Sequence, residues 1–191
     1  MPANPAALEF LLTRRSRPAK TLRTPVPDAE ALRPILTAAA RSPDHGKLEP
    51  WRFVVLTRPA LERLAALTGE RGRELGLADD IIAKAASQFS DSHLAVAVVN
   101  VPRGTEKVPQ IEQTLSTGAV CLSLLNAALA AGWGANWLSG WVAHDPGFCQ
   151  KGLALAEGEW VAGFVHIGTE TVAPPERPRP DMDQIITWMT A

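Results

Sequence analysis

The longest apolar run lies between residues 118 and 132, where Ser123 and Asn126 are the only polar side chains between two glycines. A helix that is apolar on every face has no side to turn to water, so this run predicts a helix buried all round. At about 1.5 Å per residue the run falls short of a bilayer, which needs roughly 20 apolar residues. Gly132 is suited to the left-handed conformation that closes a helix. The Trp/Gly-rich residues 133–139 then read as a strand. A buried helix passing into such a strand suits either a floor under a flat ligand or a subunit interface.

The other periodic segments fall on both sides of this one. Leu8, Leu11 and Leu12 have amphipathic-helix spacing across residues 5–14. Asp28 is placed to cap a second helix running to about Arg41, with Pro34 expected to kink it because proline lacks the donor for the bond to Glu30. RFVVLT at residues 52–57 predicts a strand, and 59–75 and 78–89 predict helices. LAVAVVNV at 94–101 is continuously apolar, the mark of a strand buried on both faces. Pro109 opens the long helix, 145–155 predicts a short one, and WVAGFVHI at 160–167 predicts the last core strand. The tail begins extended, and residues 185–189 could add one more strand. Strands separated by single or paired helices predict an α+β fold, or α/β with a mixed sheet. No repeat, linker or low-complexity segment divides residues 1–191, so a single domain is expected.

The totals narrow the function classes. The 191 residues carry 19 basic and 20 acidic side chains, a net charge of −1. That balance gives no general attraction to nucleic acid or an anionic membrane. Cys121 and Cys149 are far apart and outside any CxxC, which favours buried thiols in a reducing compartment. The N-terminal segment places its positive charge after the apolar run, the wrong order for a secretory signal, so a cytoplasmic location is expected.

Four stretches could carry a site. Arg14-Arg15-Ser16 ends the first helix and offers two guanidinium forks and a hydroxyl, a set that matches a phosphate; an ordinary solvated basic loop is the plain alternative. Residues 41–47 crowd Arg41, Asp44, His45 and Lys47 onto a loop stiffened by Pro43 and Pro50. Asp44 beside His45 suggests a catalytic dyad, but adjacent side chains point apart and no nucleophile accompanies them; a surface turn fits as well. Trp137-Leu138-Ser139 could line a flat ring, or its tryptophan could simply be core. In Arg177-Pro178-Arg179-Pro180 the alternate residues of an extended segment face one way, so two arginines could meet one anion; a solvated proline-rich tail is the alternative. The only G-x-G, Gly132-Trp133-Gly134, follows a helix and lacks the third glycine of a dinucleotide fingerprint. His45, His93, His144 and His166 lack metal-ligand spacing.

Taken in order, these stretches form a pattern. Arg14-Arg15-Ser16, then Arg41-Ser42-Pro43-Asp44-His45, then Pro50-Trp51-Arg52-Phe53 resemble the nitroreductase family, and more closely its compact NAD(P)H nitroreductase subfamily. Lys107-Val108-Pro109, the small-residue helix, Trp137-Leu138-Ser139, Val161-Ala162-Gly163-Phe164 and Ile167-Gly168-Thr169 extend the resemblance from about Leu8 to Thr169. It implies a homodimer of α+β fold with a mixed central sheet, binding FMN and using NADH or NADPH as hydride donor. It implies that Arg14, Arg15 and Ser16 hold the FMN phosphate and ribityl chain, and that Trp137, Leu138 and Ser139 lie along the flavin. Arg41 and His45 would reach the flavin bound mainly by the other subunit, and Arg177 and Arg179 resemble a basic pair near the phosphate. The activity implied is ping-pong hydride transfer through flavin N5 to nitroaromatic or quinone-like acceptors, with no side chain required as acid or base. Where many relatives carry Ser-Ser-x-Asn-x-Gln-Pro-Trp, this chain has Asp44 to Trp51 with Lys47 and Glu49, a departure that bears on flavin contacts and substrate range. A cation near the flavin would favour its anionic reduced form; Arg17, Lys20 and Lys47 are the candidates. A non-enzymatic module binding flavin or another anionic ligand is the rival from a different class.

Overall fold

The computed structural model describes residues 2–104 and 106–190. Helix α1 (Pro5–Thr13) is capped by the Asn4 side chain. The two-residue strand β1 (Leu22–Arg23) follows, then α2 (Ala29–Ala39), whose Asp28 cap accepts from the Ala31 N–H at 2.9 Å. Helix α2 continues through Pro34. Next come β2 (Trp51–Thr57), α3 (Arg58–Glu74), α4 (Asp79–Ser90) and β3 (Leu94–Asn100). The central helix α5 (Gln110–Ala130) leads into β4 (Gly134–Leu138), α6 (Pro146–Leu153), β5 (Trp160–Glu170) and the one-turn α7 (Met182–Ile185).

The sheet runs β1-β5-β3-β2, with β4 also paired to β5. The α+β class is as expected, but every described pairing is antiparallel, where a mixed sheet was expected. The connections explain this. Between β2 and β3 the chain passes through α3 and α4, which pack on each other as a hairpin, and so re-enters the sheet at the end where it left, with Leu94 opposite Thr57.

Continuous hydrophobicity in β3 reflects burial on both faces. Ala95, Ala97 and Val99 join Leu61, Leu64, Phe89, Phe148 and Phe164 on the α3/α4/α6 side. Val96 and Val98 join Leu32, Ile35, Val120, Leu124 and Ile167 on the α2/α5 side. The Phe89 ring meets Phe148 at 5.6 Å stacked and Phe164 at 5.2 Å edge-on. Two carboxylate–guanidinium forks brace this frame: Arg71 on Asp145 at 2.9 and 3.0 Å, and Arg52 on Glu159 at 2.9 and 2.7 Å.

Three expectations are corrected. Helix α5 has 21 residues, so length alone would let it cross a bilayer. Its polar Gln113, Ser116 and Thr117 are buried and hydrogen-bonded to neighbouring loops, and its Val120, Leu124 and Leu125 pack into the core, which makes it the core helix of a sheet. Nor is it buried all round: Ile111, Leu115 and Leu122 stand in the open, because the sheet and α2 cover only one side. Residues 185–189 form no strand. The tail leaves the sheet after β5, and Ile185, Ile186, Trp188 and Met189 are exposed.

Candidate functional site

The basic segment after α1 is fastened to the edge of the sheet. The Arg17 N–H donates to the Ala135 carbonyl at 2.8 Å, and the Asn136 amide donates to the Arg17 carbonyl at 2.8 Å. Beyond it, β1 pairs with the end of β5, and the Thr169 and Thr171 hydroxyls donate to the Pro25 and Thr21 carbonyls, each at 2.7 Å. These bonds set Arg14, Arg15 and Ser16 against β4, while the tail returns over them with Arg177 and Arg179. Together with Asn136 and Trp137 they line a cleft of 810 Å³. In sequence Arg14-Arg15-Ser16 lie more than a hundred residues before Asn136 and the tail; the fold makes them one wall.

The cleft is electrostatically incomplete. The Arg14 guanidinium has its pKa lowered, first by burial and then by the positive charges of Arg179, Arg15 and Arg17. Arg14 Nε, Arg15 Nη1 and Arg17 Nε are buried and have no hydrogen-bond partner. Arg14 reaches the Ser16 hydroxyl only at 3.4 Å. Partial neutralisation comes from Glu176, 2.8 Å from Arg179 and 3.8 Å from Arg15, and from Glu170, 3.2 Å from Arg17. The Glu176 carboxyl is held below its usual range by the Arg177 N–H and, more weakly, by Arg179 and Arg15. Buried donors without acceptors are costly, so this arrangement calls for an anion with several oxygens.

Trp137 forms the apolar side of the cleft and is 37% exposed. Its ring packs against β5, with Nε1 donating to the Ala162 carbonyl at 3.3 Å. Gly163 makes that seat possible: a Cβ there would come within 1.8 Å of Trp137 Nε1. Strand alternation turns Leu138 the other way. It lines a hollow with Lys20, Lys84 and Gln88, and, with Ser139, a second hollow bounded by Lys84, Gln88 and Trp141. The three hollows follow one another along β4, sharing Asn136 and then Leu138.

The three candidate cations separate. Arg17 is engaged by Glu170, Lys20 borders the hollow under Leu138, and Lys47 lies on the distant loop after α2. Lys84 and Gln88 were not foreseen; they are one turn apart on α4, and only the packing of α4 brings them to β4. Asn136 was likewise missed, although its place in a strand beside Trp137 was legible.

Arg41 and His45 do not line the cleft. Both are exposed; His45 stands in a shallow hollow with Glu112, Leu115 and Ser116 of α5. The Asp44–His45 pair is no dyad. Asp44 accepts from the Glu49 N–H at 2.7 Å, whereas His45 Nδ1 lies 2.5 Å from Glu112. Among the described residues no group of His, Cys, Asp and Glu could hold a metal ion.

Comparison with known proteins agrees with this geometry. The nitroreductase family model matches residues 11–169. The Escherichia coli (strain K12) protein named "Putative NAD(P)H nitroreductase YdjA" is 34% identical over 163 residues, 85% of this chain and 87% of the relative. Among solved structures, a nitroreductase-like family protein from Bacillus cereus superposes with a TM-score of 0.80 at 21% identity over 100% of both chains. A Desulfovibrio desulfuricans protein crystallised in complex with FMN superposes with a TM-score of 0.74 at 20% identity, again over 100% of both chains. The family match takes in the end of α1 with the arginines after it, the loop after α2, the core helix and both strands that seat Trp137, and on that ground the chain belongs to the nitroreductase family.

Proposed function

We propose that this chain is an FMN-dependent NAD(P)H oxidoreductase, working as a homodimer by ping-pong turnover on electron-poor acceptors such as nitroaromatics or quinones. The observation that carries the reading is the arginine cleft, where Arg14 Nε and Arg15 Nη1 are buried without acceptors beside a tryptophan seated on a glycine. A terminal phosphate fits those nitrogens, and a flat ring fits the strip along β4. Arg14, Arg15 and Ser16 would hold the phosphate, with Arg177 and Arg179 closing over it. Trp137, Leu138 and Ser139 would border the ring, and Lys20 and Lys84 would supply positive charge at its edge. Bound FMN would supply hydride acceptance from NAD(P)H and its onward delivery, leaving the protein to position, charge and dry the site.

A second copy of the chain is supported by the open apolar surface. Ile111, Leu115 and Leu122 recur along one side of α5, and Leu8, Leu11 and Leu12 of α1 are exposed as well. Exposed apolar stripes of this kind mark interaction surfaces, and two-fold dimers are the commonest way to cover them. His45 flanks this surface beside Leu115, and Arg41 is exposed on the same connection, so a partner packed there would bring them towards its own cleft. Both cysteines are free and buried, as suits a reducing, cytoplasmic setting.

The deciding experiment is an absorption spectrum of the purified protein, reconstituted with FMN, before and after anaerobic addition of NADH or NADPH. Flavin absorbance that bleaches is the expected result. Absence of FMN binding would overturn the site, and bound flavin that neither nucleotide bleaches would make the chain a carrier.

A further inference from the structure

The loop at residues 42–50 is held more firmly than an exposed connection needs. Lys47 and Glu49 have φ of +55° and +48°, a conformation that side-chain-bearing residues keep only where their surroundings over-determine it. The surroundings do so here. The Asp44 carboxylate accepts from the Glu49 N–H at 2.7 Å, and Arg103 donates to the Leu48 and Glu49 carbonyls at 3.1 and 3.2 Å. Ser116 donates to the Pro43 carbonyl at 2.5 Å, and Ser42 Oγ meets Ser123 Oγ at 2.9 Å. Helix α5 thus acts as the mount for this loop.

His45 projects from that mount with its side chain 61% exposed and its Nδ1 2.5 Å from Glu112 Oε2. An ionised carboxylate can only accept, so the hydrogen of this bond belongs to Nδ1. The partner of one ring nitrogen decides the role of the other. With Nδ1 protonated in a neutral ring, Nε2 carries a lone pair.

We propose that Glu112 is a positioning residue for His45: it fixes the Nδ1–H tautomer so that Nε2 accepts a hydrogen bond from an N–H or O–H group of FMN held in the partner subunit's cleft. This rests on the shared FMN site proposed above. Glu112 stands 67 residues from His45, within the first turn of α5.

The test has two arms. In the first, long-range ¹H–¹⁵N NMR of the ligand-free protein in mildly alkaline solution reports which nitrogen of His45 is protonated. Wild type should show Nδ1–H, Glu112→Ala should shift towards the Nε2–H form that free histidine favours, and Glu112→Gln should restore Nδ1–H through its amide oxygen. In the second arm, FMN affinity is measured for Glu112→Ala, His45→Ala and the double variant. Loss of one hydrogen bond should weaken FMN roughly threefold to tenfold in each single variant, and the double variant should be no weaker than His45→Ala alone. Should Glu112→Ala fail to fold, Glu112→Gln with near-wild-type affinity and Nδ1–H keeps the comparison. Nε2–H in the wild type, or additive losses, overturns the positioning role while leaving FMN binding intact. A wild type without affinity for FMN overturns the flavin reading itself.

Discussion

Replacing Arg14 by alanine should move stability and ligand affinity in opposite directions. In the ligand-free protein the Arg14 charge is disfavoured by burial and by Arg179, Arg15 and Arg17. Its Nε has no acceptor, and its other contact is a 3.4 Å approach to Ser16. Removing it therefore relieves repulsion at the cost of a weak bond, and the ligand-free variant should melt no lower than wild type. A charge-assisted contact to a phosphate contributes about 1.5–3 kcal/mol, so FMN should bind roughly ten- to a hundredfold more weakly. The same number fixes the thermal shift. At an FMN concentration about 100 times the wild-type Kd, binding stabilises wild type by about 2.7 kcal/mol; thirtyfold weaker binding leaves about 0.9 kcal/mol. Calorimetric titration of the ligand-free protein, with melting curves with and without FMN, measures both quantities. Unchanged affinity would refute the phosphate assignment, and equal destabilisation with and without FMN would make Arg14 a structural residue.

Three further outcomes are expected. Gly163→Ala should unseat Trp137, because the added Cβ would lie 1.8 Å from its Nε1; the half-exposed ring can swing away, so FMN affinity should fall severalfold with a loss of only about 1–2 kcal/mol in stability, and a crystal structure with Trp137 in place would contradict this. His166 is buried, with Nδ1 3.0 Å from Ser92 Oγ and its pKa lowered by burial from 6.5 to about 4. The unfolded chain takes up the proton first, so stability should fall as pH drops from about 6.5 to about 4, by roughly 3 kcal/mol in all; His166→Gln should lose this component of the pH slope in urea titrations, and an unchanged slope would refute it. A heterodimer of one Arg14→Ala subunit with one Arg41→Ala/His45→Ala subunit should keep one tight FMN site if the sites are shared; flavin counted in tag-purified heterodimers would show no tight site if each cleft is complete within one subunit.

The sequence by itself determined the elements. Asp28 and Asp145 cap their helices as their side chains dictate. The uninterrupted apolar run of β3 could only be a strand covered on both faces, since each alternate residue needed its own cover. Gly132, at φ +85°, ends α5 as a residue without Cβ can. Arg14, Arg15 and Ser16 stood out as a candidate phosphate contact because guanidinium forks announce themselves by type.

Tertiary structure decided which of these elements meet, and on which side. An all-apolar helix states that water is unwelcome but not what replaces it; α5 meets the sheet on one flank and leaves Ile111, Leu115 and Leu122 open on the other. Adjacency suggested a dyad of Asp44 and His45 and also argued against it, since neighbouring side chains point apart; only the fold shows that they turn to the Glu49 N–H and to Glu112. Lys84, Gln88 and Glu112 gave no local signal, since a polar residue on an amphipathic helix looks the same whether it faces bulk water or a cleft. Periodicity reports how much of a residue is covered; only the packing of α4 and α5 against distant segments settles what each of these side chains can touch.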